Sequence, residues 1–284
     1  MSRKLDSSEK RVAMTPYISV LLPVLNSEQY LSSCLESIFS QDLDFEIILV
    51  DNGSTDNSLE IASRFAAEDS RLKIVHCAQR GVANALNLGL RHCSSEFVAR
   101  IDSDDRMLPG RLSSQIAAFG VNSEIVLVSS QVQYINSDGD STGVSSYPEG
   151  FLEQSYSFGY MNPIAHPSVM YRLSKVKEVG GYNSKFEGAE DLDLWIRLAT
   201  AGKVLALSHV LTQYRIHSHQ ISNQENLYSR ELYFRLRNIR RLFWLRPNAI
   251  NLLVVVAQIL NLIALKSHVF RKLRRRLKRL IYAR

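Results

Sequence analysis

Apolar and polar positions follow two rhythms along roughly the first 120 residues. Ile18–Leu22 is a short apolar run that predicts a buried strand. Tyr30, Leu31, Cys34, Leu35, Ile38 and Phe39 then recur at helical spacing. Glu46–Val50 is a second apolar strand, closed by the turn Asp51–Asp56. Leu59, Ile61, Ala62, Phe65 and Ala66 predict a second helix, Leu72–His76 a third strand and Val82–Leu90 a third helix. Phe97–Ile101 is a fourth strand, ending at Asp102-Ser103-Asp104-Asp105. Strand–helix units in succession predict an α/β fold with a parallel sheet covered on both faces. Ligands of such sheets bind beyond the C-terminal ends of the strands. Asp51 and Asp102 both fall at such ends.

Beyond this the pattern loosens. Ile125–Ile135 reads as one strand or two, followed by the turn residues Asn136–Asp140. The weakly patterned stretch up to about Ile164 is expected to be a mobile active-site loop. Val169–Tyr171 is strand-like, and Leu192, Trp195, Ile196, Leu198 and Ala199 mark a helix that stops at Gly202. Residues 1–15 are polar and of mixed charge, and are expected to form a flexible tail. Pro23 interrupts the apolar run Tyr17–Leu25, which suits a buried strand better than a secretory leader.

Composition narrows the class. The chain has 284 residues, 45% hydrophobic and 22% charged, a globular balance that excludes wholesale disorder. The length fits one domain with an appendage. Cys34, Cys77 and Cys93 show no CxxC spacing and read as small core residues in a reducing compartment, which excludes a zinc site.

The net charge of +6 is unevenly placed. From Arg230 onward the chain carries 15 Lys plus Arg against the single acid Glu231, a surplus of 14, so residues 1–229 hold −8. The apolar stretch Ala249–Leu265 is short for a spanning helix, which needs about 20 residues. It suits packing on the body or lying in a membrane interface. Phe270, Leu273, Leu277, Leu280 and Ile281 keep helical spacing among Arg271, Lys272, Arg274, Arg275, Arg276, Lys278 and Arg279. This basic amphipathic pattern points to an anionic membrane surface. A solvated tail is the plainer alternative. Nucleic acid is disfavoured, because no aromatic side chains stud a basic platform.

The acidic body carries the candidate chemistry. Three carboxylates within Asp102–Asp105 repel one another unless a cation is present, and such a cluster suits Mg²⁺ or Mn²⁺. Read alone, it is equally an acidic surface turn ahead of Pro109-Gly110. Four further segments accompany it. They are Asp51-Asn52-Gly53-Ser54-Thr55-Asp56, the small-residue stretch Arg80–Gly89, Gly188-Ala189-Glu190-Asp191, and Tyr214-Arg215-Ile216-His217. The glycines of Arg80–Gly89 are expected to let the backbone approach a ligand closely.

In this order and spacing, with Pro23-Val24-Leu25-Asn26 and Tyr30 at the start, the set resembles glycosyltransferase family 2. The resemblance runs from Ser19 to about Ser222. It implies the GT-A fold, a Rossmann-like, mostly parallel sheet flanked by helices. The domain would occupy residues 16–225, with a helical basic extension over 226–284. It also implies an inverting transfer from a nucleotide sugar, most often a UDP-sugar, to a hydroxyl of a glycan or lipid-linked acceptor. Surface polysaccharide synthesis at the cytoplasmic face of the membrane is the expected setting.

The resemblance implies roles as well. Pro23 and Asn26 open the donor site, and Asp51 or the adjacent Asn52 hydrogen-bonds the nucleotide base. Arg80 steadies the nucleotide. Asp102 contacts the ribose or a metal-bound water. Asp104, with Asp105, ligates the metal that bridges the diphosphate, and His217 completes the metal or diphosphate site. Asp191 is the expected general base, taking the acceptor proton as the oxygen attacks the anomeric carbon. Glu190 orients the base or the acceptor. His166 and Trp195 are weaker acceptor-site candidates, Trp195 being a core residue on its own pattern. A catalytically silent scaffold of the same fold is the competing class, against which the intact carboxylates speak. A nucleotidyltransferase should open with a Gly-rich phosphate loop, and Pro23–Asn26 is not one.

Overall fold

Strand β1 (Ile18–Val24) is the axis of the sheet, lying between parallel neighbours β2 (Phe45–Asp51) and β4 (Phe97–Arg100). The computed structural model describes residues 17–152, 162–218 and 220. Strand β3 (Leu72–His76) continues the parallel edge beyond β2. Helices α1 (Leu31–Phe39), α2 (Ser58–Glu68) and α3 (Val82–His92) connect these strands. The predicted rhythm of this half is what the chain forms, and Leu72–His76 is reproduced residue for residue.

The second half begins with β5 (Arg106–Met107) and α4 (Arg111–Val121). Then come β6 (Ile125–Ile135), β7 (Ser141–Val144) and β8 (Gly150–Phe151). A 3₁₀ turn at His166–Ser168 leads into β9 (Met170–Arg172), α5 (Leu173–Glu178), α6 (Glu190–Ala201) and β10 (Lys203–Arg215). The strand order is β3-β2-β1-β4-β9-β6-β10-β5, with β7 on β6 and β8 on β10. Strand β9 enters antiparallel between β4 and β6, and the long β6–β10 ladder is parallel again. The sheet is thus mostly parallel in its long ladders, with short antiparallel pieces at β5, β7, β8 and β9.

Side-chain alternation along the strands sorts the core into two layers. Leu21, Ile48, Val50 and Val98 face the layer that includes Leu86 of α3 and Leu192 and Trp195 of α6. Val20, Leu22, Ile47 and Leu49 face the layer built by α1, α2 and α4. Helix α1 buries Leu31, Cys34, Leu35 and Ile38, four of the positions that the helical spacing marks. All three cysteines are free and buried.

The structure narrows or adds to the sequence reading at three places. Ile125–Ile135 is one strand, and its interior Ser129, Ser130 and Gln131 are buried polar residues that weaken the apolar signal. The stretch expected to be a mobile loop forms β7 and β8 over part of its length, while 153–161 lies outside the described residues. Strand β10 has no counterpart in the sequence reading. Its ladder to β6 shifts register between Leu207 and Val210 and again before Thr212, so period-two alternation is broken where Ser208 and His209 are exposed.

The N-terminal tail and the basic extension lie outside the described residues. Among the described residues no helix is long and apolar enough to cross a membrane.

Candidate active site

The loops that leave β1, β2 and β4 are tied together by their own side chains. Asn26, at φ 51°, adopts a left-handed conformation uncommon outside glycine. Its Oδ1 accepts the Thr55 N–H at 2.8 Å, and its N–H donates to Ser54 Oγ at 3.1 Å. Ser27 Oγ lies 2.6 Å from Ser103 Oγ, which links the same loop to the acidic turn after β4. Pro23 pairs in register with Val50.

Asp51 caps its own turn. Its Oδ1 accepts the Ser54 N–H at 3.1 Å and its Oδ2 the Gly53 N–H at 3.4 Å, with His76 Nδ1 3.6 Å away. The Asn52 side chain braces the next loop, donating to Gln79 O at 3.0 Å and accepting from the Gly81 N–H at 2.9 Å. Arg80, exposed, stands on that braced loop just ahead of α3. Gly81 needs its φ of +113° to turn the chain into the helix. Gly89 has a different purpose from the expected one. A Cβ there would meet Leu21 Cδ1 at 2.2 Å and Val50 Cγ2 at 2.8 Å, so its close approach is to the sheet and not to a ligand.

Asp102, Asp104 and Asp105 each offer a carboxylate oxygen within 4.8 Å of the others. His217 Nε2, from the loop after β10, reaches Asp104 Oδ2 at 2.9 Å. Asp105 is buried. Its Oδ1 accepts the Arg215 N–H at 2.7 Å, and its Oδ2 has no hydrogen-bond partner among the described residues. Burial first, and then the Asp104 and Asp102 charges, push the Asp105 carboxyl well above its usual range. An orphaned carboxylate oxygen beside two further carboxylates and an imidazole fits a hard divalent cation.

Three buried arginines surround this turn, and none was singled out as a site residue from the sequence. Arg100, 2% exposed, grips both Asp102 oxygens with its two terminal nitrogens. Arg111, fully buried, donates to Arg100 O at 2.7 Å and, through Nε, to Gln115 Oε1 at 3.1 Å. Burial lowers its pKa to about 9, which leaves it charged at neutral pH. Arg215, 1% exposed, donates to the carbonyls of Asp104, Asn136 and Ser137 and lies 4.4 Å above the Tyr30 ring. The available signal was Arg100 standing alone inside the apolar run Phe97–Ile101, a charge that must be paired if buried.

The second carboxylate group begins α6, where the helix dipole favours negative charge. Glu190 is buried and accepts the Gly188 N–H at 2.5 Å. Burial, then the adjacent Asp191 charge, raise its pKa to about 7. Asp191 Oδ1 accepts the Leu192 N–H at 2.7 Å, and its Oδ2 accepts from Asn162 Nδ2 at 2.6 Å. His166 is held by Tyr182 Oη at 3.0 Å, and burial lowers its pKa well below the usual value. Trp195 packs edge-on against His166 and is 0% exposed. It therefore cannot touch an acceptor directly, which corrects its candidacy and leaves it as core support for His166. The two carboxylate groups feel one another's surroundings through Arg100, which interacts with Asp102 and Asp105 on one side and Glu190 on the other.

Comparison with known proteins places the chain and its fold. Residues 19–180, more than half of the chain, match the family described as Glycosyl transferase family 2. The O-antigen biosynthesis glycosyltransferase WbnJ of Escherichia coli is 30% identical over 208 residues, 71% of this chain and 80% of that protein. Two larger curated relatives match at 24% identity over 221 residues, and the chain spans 22% of their length. Among solved structures, Staphylococcus aureus TarS 1–349 in complex with UDP-GlcNAc superposes with TM-score 0.70 at 20% identity, over 90% of this chain and 77% of that one. The mannosyltransferase PcManGT of Pyrobaculum calidifontis, in complex with GDP-Man and Mn²⁺, superposes with TM-score 0.63 at 17% identity, over 94% and 81%. The fold is the GT-A type, and with its carboxylate turn, its helix-borne acidic pair and its sequence match the chain belongs to glycosyltransferase family 2.

Proposed function

We propose that this glycosyltransferase moves a sugar, with inversion, from a nucleotide sugar to a hydroxyl of a growing surface glycan or a lipid-linked acceptor. UDP-sugars are the first donors to test. The observation that carries this reading is the pairing of two carboxylate groups across Arg100: one suited to a cation and a departing diphosphate, the other to proton removal. The UDP-GlcNAc and GDP-Man complexes of the two structural neighbours support a nucleotide-sugar donor, and the O-antigen relative supports a glycan product.

In this reading Asp51 receives the base, with Asn52 bracing the loop that carries Arg80 towards the nucleotide. Asn26 and Ser27 keep the three donor loops in register. Asp102, oriented by Arg100, meets the ribose. Asp104, Asp105 and His217 would hold a divalent cation, Mn²⁺ or Mg²⁺. Once bound, it would supply Lewis-acid stabilisation of charge on the leaving diphosphate. Asp191 accepts the proton of the attacking hydroxyl, and Glu190 beside it, sharing protons near neutrality, orients the acceptor. The intact carboxylates disfavour a silent scaffold.

The basic sequence after Arg230, outside the described residues, supports attachment of the enzyme to an anionic membrane surface, where lipid-linked acceptors reside.

The decisive experiment is release of nucleoside diphosphate by Asp191→Asn across a panel of UDP- and GDP-sugars with Mn²⁺. Removing a general base costs about 10²–10⁴ in rate. Donor affinity should stay near the wild-type value, because the residue faces the acceptor. A drop of less than tenfold sinks the base assignment.

A further inference from the structure

We propose that Asn162 is the positioning residue of the transfer reaction, holding the Asp191 carboxylate in the orientation in which it receives the acceptor proton. The proposal rests on the reading of Asp191 as general base. Its ground is the 2.6 Å contact from Asn162 Nδ2 to Asp191 Oδ2. The other oxygen, Oδ1, accepts the Leu192 N–H at 2.7 Å. With a donor on each oxygen, the carboxylate plane is fixed and the remaining lone pairs point in set directions.

A residue that positions another must itself be held. Asn162 precedes Pro163, which restricts its backbone to extended geometry. Its own Oδ1 accepts the Ile164 N–H at 3.4 Å, so the amide presents its NH₂ to Asp191. Four residues on, the same segment is anchored by His166 on Tyr182 Oη at 3.0 Å. It is further pinned where Gln115 Nε2 donates to Ser168 O at 2.9 Å. Residues 162–168, ahead of β9, are therefore held as an arm that reaches the start of α6. Chemistry also explains why the residue is an amide. A carboxylate there would repel Asp191, and an aliphatic side chain would leave Oδ2 free to rotate. Titratable groups that interact with Asp191 include Glu190, beside it on α6, and Tyr182, from the segment ahead of that helix.

The test measures pH profiles of nucleoside diphosphate release for wild type, Asn162→Ala, Asn162→Asp and Asp191→Asn. The donor is the nucleotide sugar of the panel that wild type turns over fastest with Mn²⁺. Loss of one hydrogen bond to the carboxylate should move the acid limb of kcat/KM upward by about one to two pH units in Asn162→Ala. Asn162→Asp should move it further, with turnover at neutral pH down at least tenfold and partly recovered in alkali, while donor KM stays within about twofold. The Asp191 carboxyl titration, followed by ¹³C NMR in the resting protein, should move in the same direction. This readout needs no substrate, and a purely structural role of Asn162 would not move it. If acid limb and NMR titration stay at the wild-type position in both variants while Asp191→Asn is inactive, the positioning role is overturned and the base assignment stands. If Asp191→Asn keeps transfer within tenfold of wild type, the base assignment falls and the proposal falls with it.

Discussion

His217 Nε2 stands 2.9 Å from Asp104 Oδ2, across a sequence separation of 113 residues. The contact exists because β10 runs beside the acidic turn, and because Arg215, two residues earlier, binds the Asp104 carbonyl and caps Asp105 through its own N–H. The Tyr30 ring completes the corner, with its centroid 5.1 Å from the His217 ring. A carboxylate and an imidazole at this distance can share one cation. Asp104→Ala should abolish UDP-dependent Mn²⁺ binding, and His217→Ala should weaken it by about 10–100-fold. Electron paramagnetic resonance of free Mn²⁺, with and without UDP, reads both. Wild-type affinity in both variants would remove the cation from this corner.

Glu190 gives a stability signature independent of substrate. It keeps its proton up to about pH 7, because burial and the Asp191 charge disfavour its ionised form. An unfolded glutamate titrates at about 4.3. The native state therefore binds more protons between these values, and stability falls as pH rises across that window. Glu190→Gln should match wild type in thermal melts near pH 4.5 and exceed it at pH 8. A constant offset at every pH contradicts the assignment.

Gly89→Ala tests the close packing of α3 on the sheet. Alanine raises helix propensity by roughly 0.5–1 kcal/mol. Its Cβ, however, would lie 2.2 Å from Leu21 Cδ1 and 2.8 Å from Val50 Cγ2. Overpacking of this kind costs about 1–3 kcal/mol, so the clash outweighs the propensity. A lower urea midpoint with unchanged donor affinity is expected. A variant as stable as wild type would show that the helix can lift off without cost.

Truncation before Ser267 addresses the basic extension. The removed residues carry eight Lys plus Arg and no acid. Full-length protein should co-sediment with anionic vesicles at low salt and release as salt rises, and the truncated protein should stay in solution. Transfer to a lipid-linked acceptor should slow much more than donor hydrolysis. Full-length protein that ignores anionic vesicles would refute peripheral attachment.

The first half of the chain was legible in the sequence because its information is local. Each strand from β1 to β4 is a short apolar run, and each carboxylate or amide of interest follows one directly, as Asp51 and Asp102 do. The second half of the chain was less legible because its information is long-range. Asn162 gains its meaning only when the loop before β9 meets α6, and Arg215 only when β10 reaches the turn after β4. Buried polar residues, such as Ser129 and Gln131 in β6, conceal a strand from any rule based on hydrophobic runs. Trp195, four positions after Asp191, became an acceptor candidate by association with the Glu190–Asp191 pair, although its own pattern marked it as core, which is where the helix turns it.

The three arginines around the Asp102–Asp105 turn are built-in counter-ions. Arg100, Arg111 and Arg215 sit in the core with their charge in place at neutral pH, so the acidic loop is balanced by the chain itself. Hydrogen bonds from Arg215 to Asp105 and to the Asp104 carbonyl hold the turn from within the chain. In the proposed reaction, a spent diphosphate and its cation would leave this frame in place for the next donor. Where product release limits turnover, as it does in many enzymes, a self-balanced frame of this kind would shorten the interval between one proposed transfer and the next.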